Sequence, residues 1–188
     1  MSAVRDWIVS KLTTLFPNSG TVITSNGQTA VFREWTGWDQ TSLGEQWASE
    51  LQYVDSKGNP KAVTTTCNAF LGMVVAKTRI AGGQAQKTFQ SFNLPVAGGP
   101  AWHWYPDGDL KPKAGDFFQI GTRGGMYKHV GVILSMGDGT WETVEGGQGG
   151  PKVGYDMIKR KAGAFPPPSF MGWIDVDEFF KGWGGSGN

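Results

Sequence analysis

One cysteine, Cys67, and two histidines, His103 and His129, are all that the 188-residue chain offers for thiol–imidazole chemistry. A free thiol titrates near pH ~8.5, so little of it is the nucleophilic thiolate at neutral pH. Two arrangements raise that fraction. One is a helix N-terminus, whose dipole favours an anion, and the other is an imidazole that pairs with the thiolate. Both are written around Cys67. The run Thr64-Thr65-Thr66-Cys67-Asn68-Ala69-Phe70-Leu71 sets a capping threonine before an apolar pattern in which Cys67, Phe70, Leu71 and Val74 share a face. The helix so predicted carries Cys67 in its first turn and ends near Gly82-Gly83. Gly72 weakens it by about 1 kcal/mol relative to alanine. His129 opens the apolar run His129-Val130-Gly131-Val132-Ile133-Leu134. A histidine at a strand start, facing a helix N-terminus, is the base that a cysteine nucleophile needs. A lone cysteine is more often a small buried hydrophobe. A loop histidine such as His103 is more often solvent-facing or packed. The helix start and the strand-opening histidine tip the balance toward Cys67 and His129 as a catalytic pair.

The elements that must position this pair can be read along the chain. Val4, Trp7, Ile8, Leu12, Leu15 and Phe16 recur at helical spacing over residues 4–16, and Pro17-Asn18-Ser19-Gly20 stops them. Residues 21–24 and 30–33 flank Asn26-Gly27 as a candidate hairpin, and Leu43–Tyr53 reads as helical. Residues 95–116 form a long irregular segment with the cluster Trp102-His103-Trp104-Tyr105. Those aromatic residues either line a substrate groove or pack on the core. Strands are expected at Asp116–Gly121, His129–Met136 and Thr140–Glu145, the last two joined by a turn at Gly137-Asp138-Gly139. Three prolines stiffen Ala164–Ser169. Trp173–Val176 reads as a last strand and Asp177–Phe180 as a short helical turn. The pattern is α+β, with a single catalytic domain over residues 1–181 and a flexible glycine-rich tail over 182–188.

Composition narrows the function. The net charge is +1, and Lys159-Arg160-Lys161 is the one short basic cluster, so a nucleic-acid partner is not expected. No apolar run approaches the ~20 residues of a membrane span, and Arg5, Asp6 and Lys11 interrupt any signal-peptide core between Met1 and Phe16. One cysteine makes no internal disulfide, and no Cys/His cluster offers zinc ligands. No metal or organic cofactor is called for. The 29 glycines and 10 prolines point to a loop-rich fold, and nine tryptophans with eleven phenylalanines supply large buried area or a sticky groove.

Four segments, in order between residues 60 and 150, carry a resemblance to a known superfamily. Thr66-Cys67-Asn68-Ala69-Phe70 resembles the C-N-x-F segment of peptidoglycan amidohydrolases of the CHAP and NlpC/P60 type, which are papain-like cysteine peptidases and amidases. Lys113-Ala114-Gly115-Asp116-Phe117-Phe118 is similar to the P-x-x-G-D strand that precedes their catalytic histidine. Lys128-His129-Val130-Gly131-Val132-Ile133 resembles their H-V-[GA]-[IV]-[IV] strand, and Thr143-Val144-Glu145-Gly146-Gly147 their E-G-N segment. The resemblance implies a papain-like fold, with an antiparallel sheet packed against the helix that bears the nucleophile. It implies Cys67 as the attacking thiol and His129 as its base. The Cys67 backbone N–H is the natural first donor of an oxyanion hole.

The third catalytic residue is where the chain departs from the pattern, because the family's asparagine is Gly147 here. Glu145 and Gln148 are the two candidates, and hairpin register separates them. A three-residue Gly137-Asp138-Gly139 loop sets Met136 opposite Thr140, which brings His129 opposite Gly147 with Glu145 on its face. A two-residue Asp138-Gly139 loop sets Gly137 opposite Thr140, which brings His129 opposite Gln148 and turns Glu145 away. The resemblance favours Glu145. The function expected is hydrolysis of a peptidoglycan amide bond, either from muramic acid to L-Ala or within the stem peptides and their cross-links. The same pair would serve a hydrolase, deamidase or acyltransferase acting on a protein, and a non-catalytic wall- or glycan-binding module is the remaining alternative. Delivery without a signal peptide, to the periplasm or cell wall, would fit phage lysis or contact-dependent secretion. The latter implies a cognate immunity protein.

Overall fold

The computed structural model describes residues 2–24, 52–53, 57–59, 66–84, 88–89, 99–122, 128–148 and 157–185. The expected strand at 30–33, residues 43–51 of the expected helix Leu43–Tyr53 and the Gly124-Gly125 loop lie outside them, and the end of that helix is corrected, for Gln52 and Tyr53 are extended and pair with Thr88 and Phe89. Helix α1, Ala3–Leu15, buries Val4, Trp7, Ile8, Leu12 and Leu15, the stripe that its spacing dictates. Helix α2, Cys67–Ala81, is buried from Ala69 to Ala76 and again at Thr78, so it runs through the core. It ends at Gly82, as expected, and Gly83 follows at φ +80°. Trp183 closes that end. Its indole N–H donates to the Thr78 carbonyl at 2.7 Å, and its ring lies where a Gly82 Cβ would stand. The segment expected to be a loose tail from Gly182 is therefore pinned at its start.

The strands are β1 (Val22–Thr24), β2 (Gln52–Tyr53), β3 (Thr88–Phe89), β4 (Trp102–Trp104), β5 (Phe117–Gly121), β6 (Lys128–Met136), β7 (Thr140–Glu145), β8 (Met157–Ala164) and β9 (Phe170–Ile174). Seven form one sheet in the order β1-β8-β7-β6-β5-β9-β4, antiparallel at every step, while β2 and β3 pair in parallel on their own. The fold is α+β. Strand β9 begins three residues before the expected Trp173. Strand β4 occupies part of the segment expected to be irregular. Strand β8 is not predicted from the sequence: apart from Met157 and Ile158 its residues are polar or small, and it carries the one basic cluster.

Both faces of the sheet are covered. Phe117, Val130, Val132, Leu134, Val144, Ile158 and Ile174 pack with α1 and α2 in the larger core. Phe118, Ile133, Trp141, Phe170 and Trp173 form a second, aromatic core on the other face. This explains the unbroken apolar run in β6, because alternate residues serve opposite cores. The aromatic core mixes tilted, edge-on and stacked ring pairs. Phe118 and Trp141 stand 4.7 Å apart, and Trp141 and Phe170 5.7 Å.

Chain ends are tied to the sheet by a buried charge. Arg5, 2% exposed, pairs with Asp116, 1% exposed, at 2.8 Å. It also reaches Asp175 at 2.8 Å, Asp177 at 2.6 Å and the Ala114 carbonyl at 2.9 Å. Asp116 in turn accepts the N–H of Val176, which opens the short helix α3 (Val176–Phe179). Gly115, at φ +94°, lets the turn pass within contact distance of Arg5, whose Cα would stand 3.3 Å from any Cβ there. The Gly115-Asp116 pair of the sequence motif thus serves architecture rather than chemistry. Replacing one partner of a buried ion pair strands the other, at a cost of about 3–5 kcal/mol. Arg5→Met is expected to lose that much in urea denaturation, with the slope unchanged, and Asp116→Asn in the same chain to recover part of it.

Candidate active site

Cys67 is the first residue of α2, with Thr66 at the N-cap position. The Thr66 hydroxyl makes no capping bond to the helix, contrary to expectation. The first turn instead faces the sulfur. The Cys67 thiol lies within the influence of the His129 side chain and of the backbone N–H groups of Asn68 and Val130. Burial pushes the thiol up, but the His129 side chain, the attraction of its charge and the two amides outweigh that and hold it below its ordinary value.

The β6–β7 hairpin reconciles the two registers that the sequence left open. Its turn is the two-residue one, for the Gly137 N–H bonds the Thr140 carbonyl at 2.8 Å and Met136 pairs with Trp141. A bulge between Ile133 and Ser135 then shifts the pairing by one, so that Ile133 faces Thr143 and Val132 faces Val144. Carried on toward the site, this register sets Glu145 opposite Gly131 and on the face of His129. The Glu145 carboxylate meets His129 Nε2 at 2.7 Å. Gln148 arrives as well, its Nε2 lying 3.3 Å from His129 Nε2 and 3.2 Å from the Gly146 carbonyl. All four expected residues, Cys67, His129, Glu145 and Gln148, therefore come together. Glu145 makes the shorter, charged contact. With Nε2 taken by the carboxylate, Nδ1 is the ring nitrogen left for the thiol.

Glu145 is 3% exposed, and a carboxylate so far from water needs partners on every lone pair. Thr143 donates to Oε1 at 2.6 Å. Lys161 donates to Oε2 at 2.9 Å, the same oxygen that His129 approaches. Burial pushes the acid up, but these bonds and the facing imidazole bring it down to about 2. Burial likewise disfavours a charged imidazole, yet Cys67 and Glu145 raise His129 to about 9. The arrangement is a thiol beside an imidazole with an ionised carboxylate behind it, and the lowered thiol and raised imidazole both favour the ion-paired form.

Two glycines make room for it. A Cβ on Gly131 would stand 2.7 Å from the Phe118 ring and 2.9 Å from Glu145 Cγ, so a side chain there would displace the carboxylate. Gly147, at φ +71°, lies over the start of α2, where a Cβ would come within 3.2 Å of the Cys67 nitrogen. Sequence reasoning missed Thr143, Lys161 and Gly131 as parts of the site. Thr143 sits two residues before Glu145 and so shares its face of β7, a signal that alternation alone carries. Lys161 had no such signal, because its strand was not foreseen.

Other expected features fall elsewhere. His103 stacks on Trp173 at 5.3 Å, on a strand at the sheet edge, with β9 and β5 between it and β6. Trp102 is buried in the helix-side core with Trp104 packed edge-on at 5.3 Å, and Tyr105 lies against Phe165 and Phe170. Of the cluster, Trp102 is the residue buried in the core, and Tyr105 stays exposed. A groove of about 290 Å³ does open beside Glu145, between Trp141, Thr143, Lys161 and Pro166-Pro167-Pro168. Among the described residues no three His, Cys, Asp or Glu side chains gather as a metal site, and no helix is long and apolar enough to cross a membrane. The chain matches no protein-family model and no curated protein.

The pH behaviour of the site follows from these contacts. Because His129 is raised, its contribution to stability is full below the ordinary imidazole range and is lost as pH climbs through about 9. Glu145 stays ionised throughout that window, losing its partners' support only as pH falls toward about 2. Alkylation of Cys67 by iodoacetamide should therefore report a thiolate formed below the ordinary thiol range of about 8.5. In His129→Ala the midpoint should return to that value or above it. In Glu145→Gln the imidazole should titrate well below 9. A wild-type thiol with an ordinary midpoint would contradict the ion pair.

Proposed function

We propose that the chain is a papain-like cysteine amidohydrolase of the CHAP or NlpC/P60 kind, cleaving an amide bond of peptidoglycan. The observation that carries this reading is that His129 acts on the Cys67 thiol while its Nε2 meets Glu145 at 2.7 Å, with the sulfur at the start of a buried helix. The order of the matching segments along the chain supports the substrate class. The helix with a cysteine at its N-terminus, packed on an antiparallel sheet that carries the histidine, supports the fold.

In this reading Cys67 Sγ attacks the amide carbonyl carbon, and the oxygen gathers negative charge. The Cys67 N–H faces that oxygen as one donor of an oxyanion hole. The bare Gly147 keeps bulk away from that nitrogen. As the C–N bond breaks, the His129 imidazolium gives its proton to the departing amine, and a thioester remains on Cys67. A water then loses a proton to the now neutral His129 and attacks the thioester. The acid leaves and the thiolate–imidazolium pair is restored. Glu145 holds the ring by Nε2 throughout and stabilises its charged form, with no need to accept the proton itself. No step requires a metal or an organic cofactor. The partners proposed are the glycopeptide substrate and, if the protein is delivered between cells, an immunity protein that covers the site.

Digestion of purified sacculi by wild type and Cys67→Ala tests this reading, with fragments identified by mass spectrometry. Release of defined fragments by wild type alone is expected, with a loss of at least about 10³-fold in the variant, as for other nucleophile deletions. The fragment masses name the bond. Equal release by both proteins would remove the cysteine mechanism. No release from several wall types by folded, reduced protein would remove peptidoglycan as the substrate.

A further inference from the structure

We infer that Lys161 is a positioning residue of this site, sharing Oε2 of Glu145 with His129 and so moderating the carboxylate's hold on the imidazolium. The inference rests on the thiolate–imidazolium pair proposed above. Its own ground is geometric. Lys161 Nζ stands 2.9 Å, and His129 Nε2 2.7 Å, from one and the same oxygen. Thr143 holds the other oxygen at 2.6 Å, which fixes the carboxylate in the orientation that turns Oε2 to both cations. The space left open by Gly131 is filled by Glu145 Cγ and the Phe118 ring of β5.

The charged groups among the described residues that face Glu145 and His129 are Cys67 from α2 and Lys159 and Lys161 from β8. Strand β5 presents uncharged Phe118 and Ile120. Of the two lysines, Lys161 is the one that reaches the carboxylate. Its side chain is 43% exposed along the groove beside Pro166-Pro167-Pro168, whereas Glu145 is 3% exposed, so the ammonium stays hydrated while the acid it touches does not.

The chemical value of this sharing lies in proton transfer. A general acid works best when its pKa is not far above the operating pH. An imidazolium clamped by an undivided carboxylate holds its proton too tightly to give it to a leaving amine. Lysine lowers that grip in two ways that act in one direction. It takes part of the oxygen's bonding capacity, and it repels the imidazolium. Two unit charges within about 6 Å repel enough, even at the dielectric of water, to move a titration by about half a unit.

The test is an NMR titration of the imidazoles, which is legible because the chain has two histidines. Wild type, Lys161→Met and Lys161→Arg are compared, with the pH profile of Cys67 alkylation recorded on the same samples. In Lys161→Met the His129 midpoint is expected to rise by at least half a unit, a threefold gain in proton affinity. In Lys161→Arg, which keeps the charge, it should stay within about 0.2 unit of wild type. An unmoved or lowered midpoint in Lys161→Met, or an equal rise in both variants, would overturn the proposal. A wild-type alkylation profile with one ordinary thiol ionisation would overturn the thiolate–imidazolium reading and this proposal with it. A perturbed wild-type profile beside an unmoved Lys161→Met would overturn this proposal alone.

Discussion

Glu145 must remain ionised almost wholly out of water, and much of the structure around the site answers to that requirement. An isolated carboxylate in such surroundings would take up a proton, and a protonated acid could not hold an imidazolium. Three donors, from His129, Thr143 and Lys161, keep it charged. Each comes from a different strand, so the sheet has to bring β6, β7 and β8 into one register at this point. The bulge in β6 does so. Without it the two-residue turn would send Glu145 to the helix-side core, where nothing described could satisfy it.

The same physical problem is solved a second time at Arg5. A guanidinium buried between α1, the turn before β5 and the start of α3 is bearable only because carboxylates and a carbonyl surround it. The two solutions differ in what they leave free. Arg5 is closed off, with its donors spent on architecture. The Glu145 network has one face open, where the half-buried His129 meets the thiol, 28% of its side chain remaining exposed. One buried charge fixes how α1 and α3 meet the sheet, and the other stands behind the pair Cys67 and His129 at the rim.

Sequence could reach the site where local pattern decides structure, and not where pairing does. The α2 start at Cys67, its end at Gly82 and the strand opening at His129 follow from periodicity and punctuation that are local. The two-residue turn at Asp138-Gly139 was one of two readable options. A bulge depends on how two strands settle against both cores, and nothing within Ile133–Ser135 announces it. Strand β8 was hidden for a related reason. It lies between β7 and β1 and contributes one fully buried apolar side chain, Ile158, so its residues show neither alternation nor a continuous apolar run. Lys161 was lost with it. In the sequence Arg5 is only a charge that interrupts a signal-peptide core, whereas α1 buries it against acids more than a hundred residues away.

The substitution of glycine at position 147 and the use of Glu145 are two sides of one constraint. Strand β7 ends at Glu145, and Gly147, where the resembled family has its orienting amide, comes to lie against Thr66 and Cys67 at the start of α2. Here that backbone adopts φ +71° and presses on the start of α2, leaving 3.2 Å between the Cys67 nitrogen and any Cβ. A side chain there would both strain the backbone and crowd the amide expected to face the oxyanion. The orienting group must then come from two residues earlier, the nearest position on the same face of the strand. A carboxylate at 145 reaches the imidazole because Gly131 leaves the space across the ladder. It brings a full charge where an amide would bring a dipole. A full charge grips the imidazolium harder, and that stronger grip is what a lysine on the same oxygen is placed to offset.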